Sequence, residues 1–167
     1  MTNIRRYFKE GQLYFTTHVT YERLPILVDY AGDLLRAFEY ANGTLPHEML
    51  AWVILPDHFH AIIDPKGSSL SAIIKLAKLK FSGSYRSAKH LKSGRVWQYR
   101  FWDHVIRSES DLSAHIDYIH YNPVKHGITR KPADHKFSTV HKFLELGNYS
   151  KDWGVHDDPT HGANIGE

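Results

Sequence analysis

Two apolar runs, residues 49–55 and 58–63, are separated only by Pro56-Asp57. Proline followed by aspartate marks a tight turn, and a gap this short cannot hold the crossover that parallel strands require. The two runs are therefore expected to pair as an antiparallel hairpin, and the rest of the chain must be arranged around it. Residues 13–20 (LYFTTHVT), rich in aromatic and β-branched types, read as a first strand behind a basic arm carrying Arg5, Arg6 and Lys9. Residues 29–42 place Leu34, Leu35, Phe38 and Ala41 on one helical stripe that ends at Asn42-Gly43. Ser68 or Ser69 can cap a second helix, in which Leu70, Ile73, Ile74, Ala77 and Phe81 recur at helical spacing with Lys75, Lys78 and Lys80 beside them. Residues 96–107 (VWQYRFWDHVIR) are expected to be extended, as a fourth strand or as a strand joined to an irregular segment. Ser110 or Asp111 then caps a helix that Asn122-Pro123 should stop, and residues 137–146 suggest a short last helix. This order predicts an α+β fold, a ferredoxin-like antiparallel sheet with helices packed on it.

Composition narrows the chemistry. A chain of 167 residues with 42% hydrophobic and 23% charged residues suits one compact domain, here expected over residues 1–153, with residues 154–167 as a flexible tail. No cysteine is present, so any metal must be held by nitrogen and oxygen donors. No stretch approaches the ~20 apolar residues of a membrane span, and the polar, basic start has no signal-like core, so a cytoplasmic, nucleoid-associated location is expected. The net charge is only +3, but residues 65–102 hold nine basic residues and no acidic one, a pattern that fits a polyanion.

Three groups of residues could carry chemistry. His58 and His60 flank Phe59, and in a strand alternate side chains share one face, about 7 Å apart at the backbone, close enough to hold one ion. Spacing alone carries little, because a chain with 13 histidines contains about one His-x-His triple by chance; the setting, between apolar runs and after a turn, gives the pair its weight. In the helix DLSAHIDYIHYNP, Leu112, Ile116 and Ile119 form the core stripe, while Tyr118 and Asn122 lie about 40° apart on an adjacent flank shared with His115 and Asp111. Tyr121 faces roughly away from the core, so Tyr118 is the better nucleophile. A tyrosine of pKa ~10 can attack a phosphodiester if the phosphate is polarised and a group accepts its proton. The tract Trp97, Tyr99, Arg100, Phe101, Trp102 and Arg107 mixes rings with cations, as single-stranded nucleic acid requires. Arg100 and Arg107 are its expected phosphate contacts, joined by Arg5, Arg6, Lys75 and Lys78 along the basic surface.

The segments AWVILPDHFHAII, WQYRFWDHVIRSESDL and DYIHYNPVKHG, in this order and spacing, resemble the REP-associated tyrosine transposases, relatives of the insertion-sequence transposases of the HUH (His-hydrophobe-His) class. The resemblance runs from about Arg5 to Trp153. It implies a ferredoxin-like fold, a divalent metal (Mg²⁺ or Mn²⁺) on His58, His60 and Asn122, and Tyr118 as catalytic nucleophile. It further implies cleavage and rejoining of single-stranded DNA at palindromic, REP-like hairpins through a 5′-phosphotyrosine, in the course of DNA transposition. Hairpin or single-stranded DNA is the implied partner, and a homodimer is one of the expected assemblies. Two other readings fit the same residues: a hairpin-DNA-binding protein that has lost its chemistry, and a hydrolytic metalloenzyme that uses water as nucleophile.

Overall fold

The computed structural model describes residues 12–163 and Ile165; the expected DNA contacts Arg5 and Arg6 lie outside the described residues. Its elements run β1 (Tyr14–Val19), α1 (Ala31–Asn42), β2 (Glu48–Ile54), β3 (His58–Asp64), α2 (Leu70–Ala88), β4 (Trp102–Val105), α3 (Glu109–Lys125) and α4 (Val140–Glu145). The four strands form one antiparallel sheet in the order β2-β3-β1-β4. The first six elements thus follow the βαββαβ path of a ferredoxin-like domain, and the expected hairpin is its β2–β3 pair.

Alternation along the strands divides the core in two. Phe59, Ala61 and Ile63 of β3 point to one face, where α1 and α2 bury Leu34, Phe38, Ile73, Ile74, Ala77 and Phe81 against them. Phe15, Val53 and Ile62 point to the other, where α3 lays down Leu112, Ile116 and Ile119. His58 and His60 share the α3 face, because they alternate with Phe59. Register holds them there: His60 pairs with Thr17 of β1 on one side and Val53 of β2 on the other.

Of the two readings of residues 96–107, the structure takes the strand joined to an irregular segment: only Trp102–Val105 pairs along β1, and upstream of it Trp97 makes a single bridge to Thr20 and turns its ring into the core. Two expectations about α3 need correction. The cap of α3 is Ser108, whose hydroxyl accepts from the Asp111 N–H at 3.1 Å, so the helix begins at Glu109. It also continues through Pro123 to Lys125. A proline inside a helix costs about 3 kcal/mol, but burying Leu112, Ile116 and Ile119 is worth roughly 1.5–3 kcal/mol each, so packing outweighs the lost hydrogen bond. Beyond Trp153, Thr160 is buried, Gly154 lies against Pro132 and Tyr121, and Ile165 packs on the α3-side core.

Candidate active site

The hairpin turn and α3 meet over the β3 histidines. Burial would raise the pKa of the Asp57 carboxyl, but hydrogen bonds from His58 and Arg23 outweigh this and hold it below the ordinary value. Asp57 Oδ1 lies 2.6 Å from His58 Nδ1, and its Oδ2 accepts from Arg23 at 3.1 Å. A carboxylate can only accept, so Nδ1 carries the proton and the lone pair of neutral His58 sits on Nε2. Burial, opposed by Asp57, lowers the His58 pKa and favours that neutral form. His60 Nδ1 is likewise engaged, 2.9 Å from Thr17 Oγ1. The two imidazole rings are 5.1 Å apart.

One turn of α3 brings up the rest. The Tyr118 ring lies 5.5 Å from that of His60, and the His126 ring lies 5.0 Å from that of His58. Asn122 stands on the same helix, four residues from each, and is wholly buried. Lys125 Nζ is 3.3 Å from the Tyr118 hydroxyl and 4.7 Å from the centre of its ring. Tyr118 is itself fully buried, beneath the site rather than in its wall. Tyr121 is half-buried and faces Pro132 and Gly154, away from the histidines.

Beside His58 and His126 opens a cleft of about 440 Å³, walled by Thr17, Arg23, Gln98, Arg100, Phe101 and Trp102. A second hollow, of about 460 Å³, adjoins it across Gln98 and Phe101 and is lined by Lys75, Lys78, Trp97 and Tyr99. Burial lowers the Lys78 pKa to about 8, and its ammonium rests 5.0 Å from the Trp97 ring. Arg100 thus lines the first hollow, and Lys75 and Lys78 line its neighbour. Arg107 lines neither; it is exposed at the start of α3, where its backbone N–H donates to Asp111.

The donors fit a divalent ion. Among the described residues, His58 Nε2 and both polar atoms of the Asn122 side chain are buried with no hydrogen-bond partner, an expensive arrangement unless something else engages them. Two imidazoles with one amide oxygen make a mixed set in which the oxygen suits Mg²⁺ or Mn²⁺ and the nitrogens favour the latter. Sequence reasoning missed Asp57, Thr17, Arg23, Lys125 and His126. Only Asp57, adjacent to His58, carried a local signal; the others are brought in by strand register and by the unbroken helix.

A ferredoxin-like sheet with a His-hydrophobe-His strand and a tyrosine-bearing helix laid across it defines the class of HUH single-tyrosine transposases. Comparison with known proteins narrows this further. The chain is 36% identical to a REP-associated tyrosine transposase of Escherichia coli strain K12, over 92% of its own length and 91% of the relative's. It is also 36% identical to a Haemophilus influenzae protein assigned by name to the same group, over 95% and 96%. The solved structure of a REP-associated tyrosine transposase bound to a REP hairpin superposes with a TM-score of 0.78 at 35% identity, covering 100% of this chain and 98% of that one. A transposase structure from Deinococcus radiodurans shares the fold, with a TM-score of 0.50 at 18% identity over 64% and 87%. No family model matches the chain. The chain belongs to the REP-associated tyrosine transposases. None of its helices, among the described residues, is long and apolar enough to cross a membrane.

Proposed function

We propose that this protein cleaves and rejoins single-stranded DNA at REP-like palindromic hairpins, with Tyr118 as nucleophile and a divalent ion on His58, His60 and Asn122. The observation that carries the reading is the set of partnerless buried polar atoms, His58 Nε2 on β3 and the Asn122 amide on α3, one helical turn from Tyr118. Hairpin binding is taken from the 35%-identical relative solved with its REP hairpin.

When bound, the ion polarises the scissile phosphate and lowers the barrier to attack. The protein does the rest. Asp57 holds the His58 imidazole by Nδ1, so that its Nε2 keeps the lone pair for the ion, and Thr17 orients the His60 ring through its Nδ1. Lys125 donates to the Tyr118 oxygen and favours its anionic form. The Tyr118 oxygen forms a bond to phosphorus, and the bond from phosphorus to the 3′ oxygen breaks. The 3′ oxygen leaves as a hydroxyl, taking up one proton for the one the phenol released. The 5′ end stays on Tyr118 until a 3′-hydroxyl attacks and reverses the step. Because Tyr118 is buried, Lys125 and the end of α3 must shift when DNA enters. Arg100, Lys75 and Lys78 then follow the DNA backbone along the adjoining hollows.

A labelled hairpin oligonucleotide incubated with Mn²⁺ or with chelator tests this on a denaturing gel. Cleavage with a protein-linked 5′ fragment, abolished by chelator, is expected. Binding without cleavage would indicate a protein that only holds hairpins. Cleavage without a linked fragment would indicate hydrolysis by water.

A further inference from the structure

Among the described residues, one group of three histidine and carboxylate side chains can offer ligand atoms that all lie within 4.8 Å of one another, and it is not the β3 pair. It consists of His104 from β4 and Asp111 and His115 from α3. Asp111 Oδ2 accepts from His104 Nε2 at 2.9 Å, while His115 Nδ1 donates to the Asp111 carbonyl oxygen at 2.8 Å and lies 3.0 Å from Oδ1. We propose that His104, Asp111 and His115 are a second metal site, an N₂O set for a transition ion of the zinc type, which fastens the edge strand β4 to the first turns of α3.

Four features carry this. The donors come from two elements, with Asp111 and His115 one helical turn apart on one face, the spacing that lets both reach a single ion. Around a tetrahedral ion with bonds of about 2.0–2.2 Å, ligand atoms stand roughly 3.4 Å apart, so the group closes onto an ion by side-chain adjustments of about an ångström. Trp102, His104 and His115 form a parallel column, the first pair 6.1 Å apart and the second 4.8 Å, so on binding the two imidazoles turn out of the stack for their in-plane lone pairs to meet one ion. Asp111 is held from behind, by the Arg107 N–H at 2.9 Å. Entry is open, since the side chains of His104 and Asp111 keep 27% and 21% of their exposure.

Burial lowers the His115 pKa, against the opposing pull of Asp111, and favours the neutral, ligating imidazole. On binding, each imidazole moves its proton to its other ring nitrogen, and His115 gives up its hydrogen bond to the Asp111 carbonyl, so no net proton change is required. A divalent cation near a helix N-terminus meets the positive end of the dipole, a loss of roughly 3- to 30-fold in affinity. Asp111, with Glu109 in the same first turn, offsets it. The site is one ring removed from the chemistry: Phe15 lies 4.8 Å from His115, 5.4 Å from His60 and 6.0 Å from Tyr118. An ion there would steady the helix that presents Tyr118.

The test uses the full chain carrying His58→Ala and His60→Ala, so that the β3 pair cannot contribute. Titration with Co²⁺ followed by absorbance, and with Zn²⁺ by calorimetry, should show one bound ion per chain, and Zn²⁺ should raise the melting temperature. Adding His104→Gln or Asp111→Asn should each weaken binding by about 10–100-fold and remove the thermal shift. His104 is half-exposed on an edge strand, so its variant folds even if Asp111→Asn does not. No binding by the parent variant, or equal affinity after His104→Gln, would overturn the proposal whatever the cleavage assay shows.

Discussion

The two faces of the sheet both bury histidines, on directly neighbouring strands, and treat them in opposite ways. On the α1–α2 face, His18 is stacked 4.4 Å from Phe59 and 5.0 Å from Phe101, with no hydrogen-bond partner for either nitrogen among the described residues. On the α3 face, His58 and His60 are each gripped by Nδ1, through Asp57 and Thr17. Burial alone does not make an imidazole a ligand. A partner that fixes the ring prepares it for that proposed role, and at His58 the Asp57 carboxylate also leaves the Nε2 lone pair in a known place. His18 has no such partner and serves as a flat packing element.

Substitutions can break or sharpen that contrast. The largest effect is expected from His60→Ala, which should lower cleavage by about a thousandfold or more, the scale of losing metal activation. Hairpin affinity, measured by gel shift, should change little. Asp57→Asn should weaken Mn²⁺ binding by about 10–100-fold while leaving the ligands themselves intact, as titration calorimetry would show.

The third effect concerns pH. Burial holds His18 neutral and, with His141 nearby, pushes the pKa of His120 down to about 3. Below the ordinary histidine value the unfolded chain therefore binds protons that the folded chain refuses, so stability is full above about pH 6.5 and falls as the pH drops below it. Each such group contributes a slope of about 1.4 kcal/mol per pH unit. Urea unfolding at about pH 7 and about pH 5 should show this decline, and His18→Leu should flatten it by one proton. At neutral pH the same substitution should be neutral or stabilising by about 1 kcal/mol, because it removes a buried group with no partner, and cleavage should be unaffected within about twofold. Smallest of all, Lys75→Ala should lower the slope of log affinity against log salt by about 1, with no change in cleavage of bound DNA.

Much of the architecture was legible because it rests on periodicity. The hairpin followed from two apolar runs and a two-residue gap, and α2 from its helical stripe and the Ser69 cap, which the structure places 3.3 Å from the Ala72 N–H. Residues Tyr118 and Asn122 could be placed on one flank by helical geometry, and they do occupy consecutive turns. The errors arose where local signals met tertiary ones. Pro123 reads as a stop until the packing of Ile116 and Ile119 is counted. How much of the aromatic tract is strand stayed open in the sequence, because only pairing with β1 limits it to Trp102–Val105. Non-local partners could not be read at all: nothing in the sequence joins Thr17 to His60, His126 to His58, or His104 to His115.

The central claim is that chemistry belongs to Tyr118, on the α3 face, and not to another of the ten tyrosines. It is tested most directly by trapping the covalent adduct with a hairpin oligonucleotide and Mn²⁺, digesting it, and mapping the nucleotide-bearing peptide by mass spectrometry. The expected result is a 5′-phosphate on Tyr118, with no adduct from Tyr118→Phe. A nucleotide on Tyr121 or any other residue, or an adduct that survives Tyr118→Phe, would contradict it.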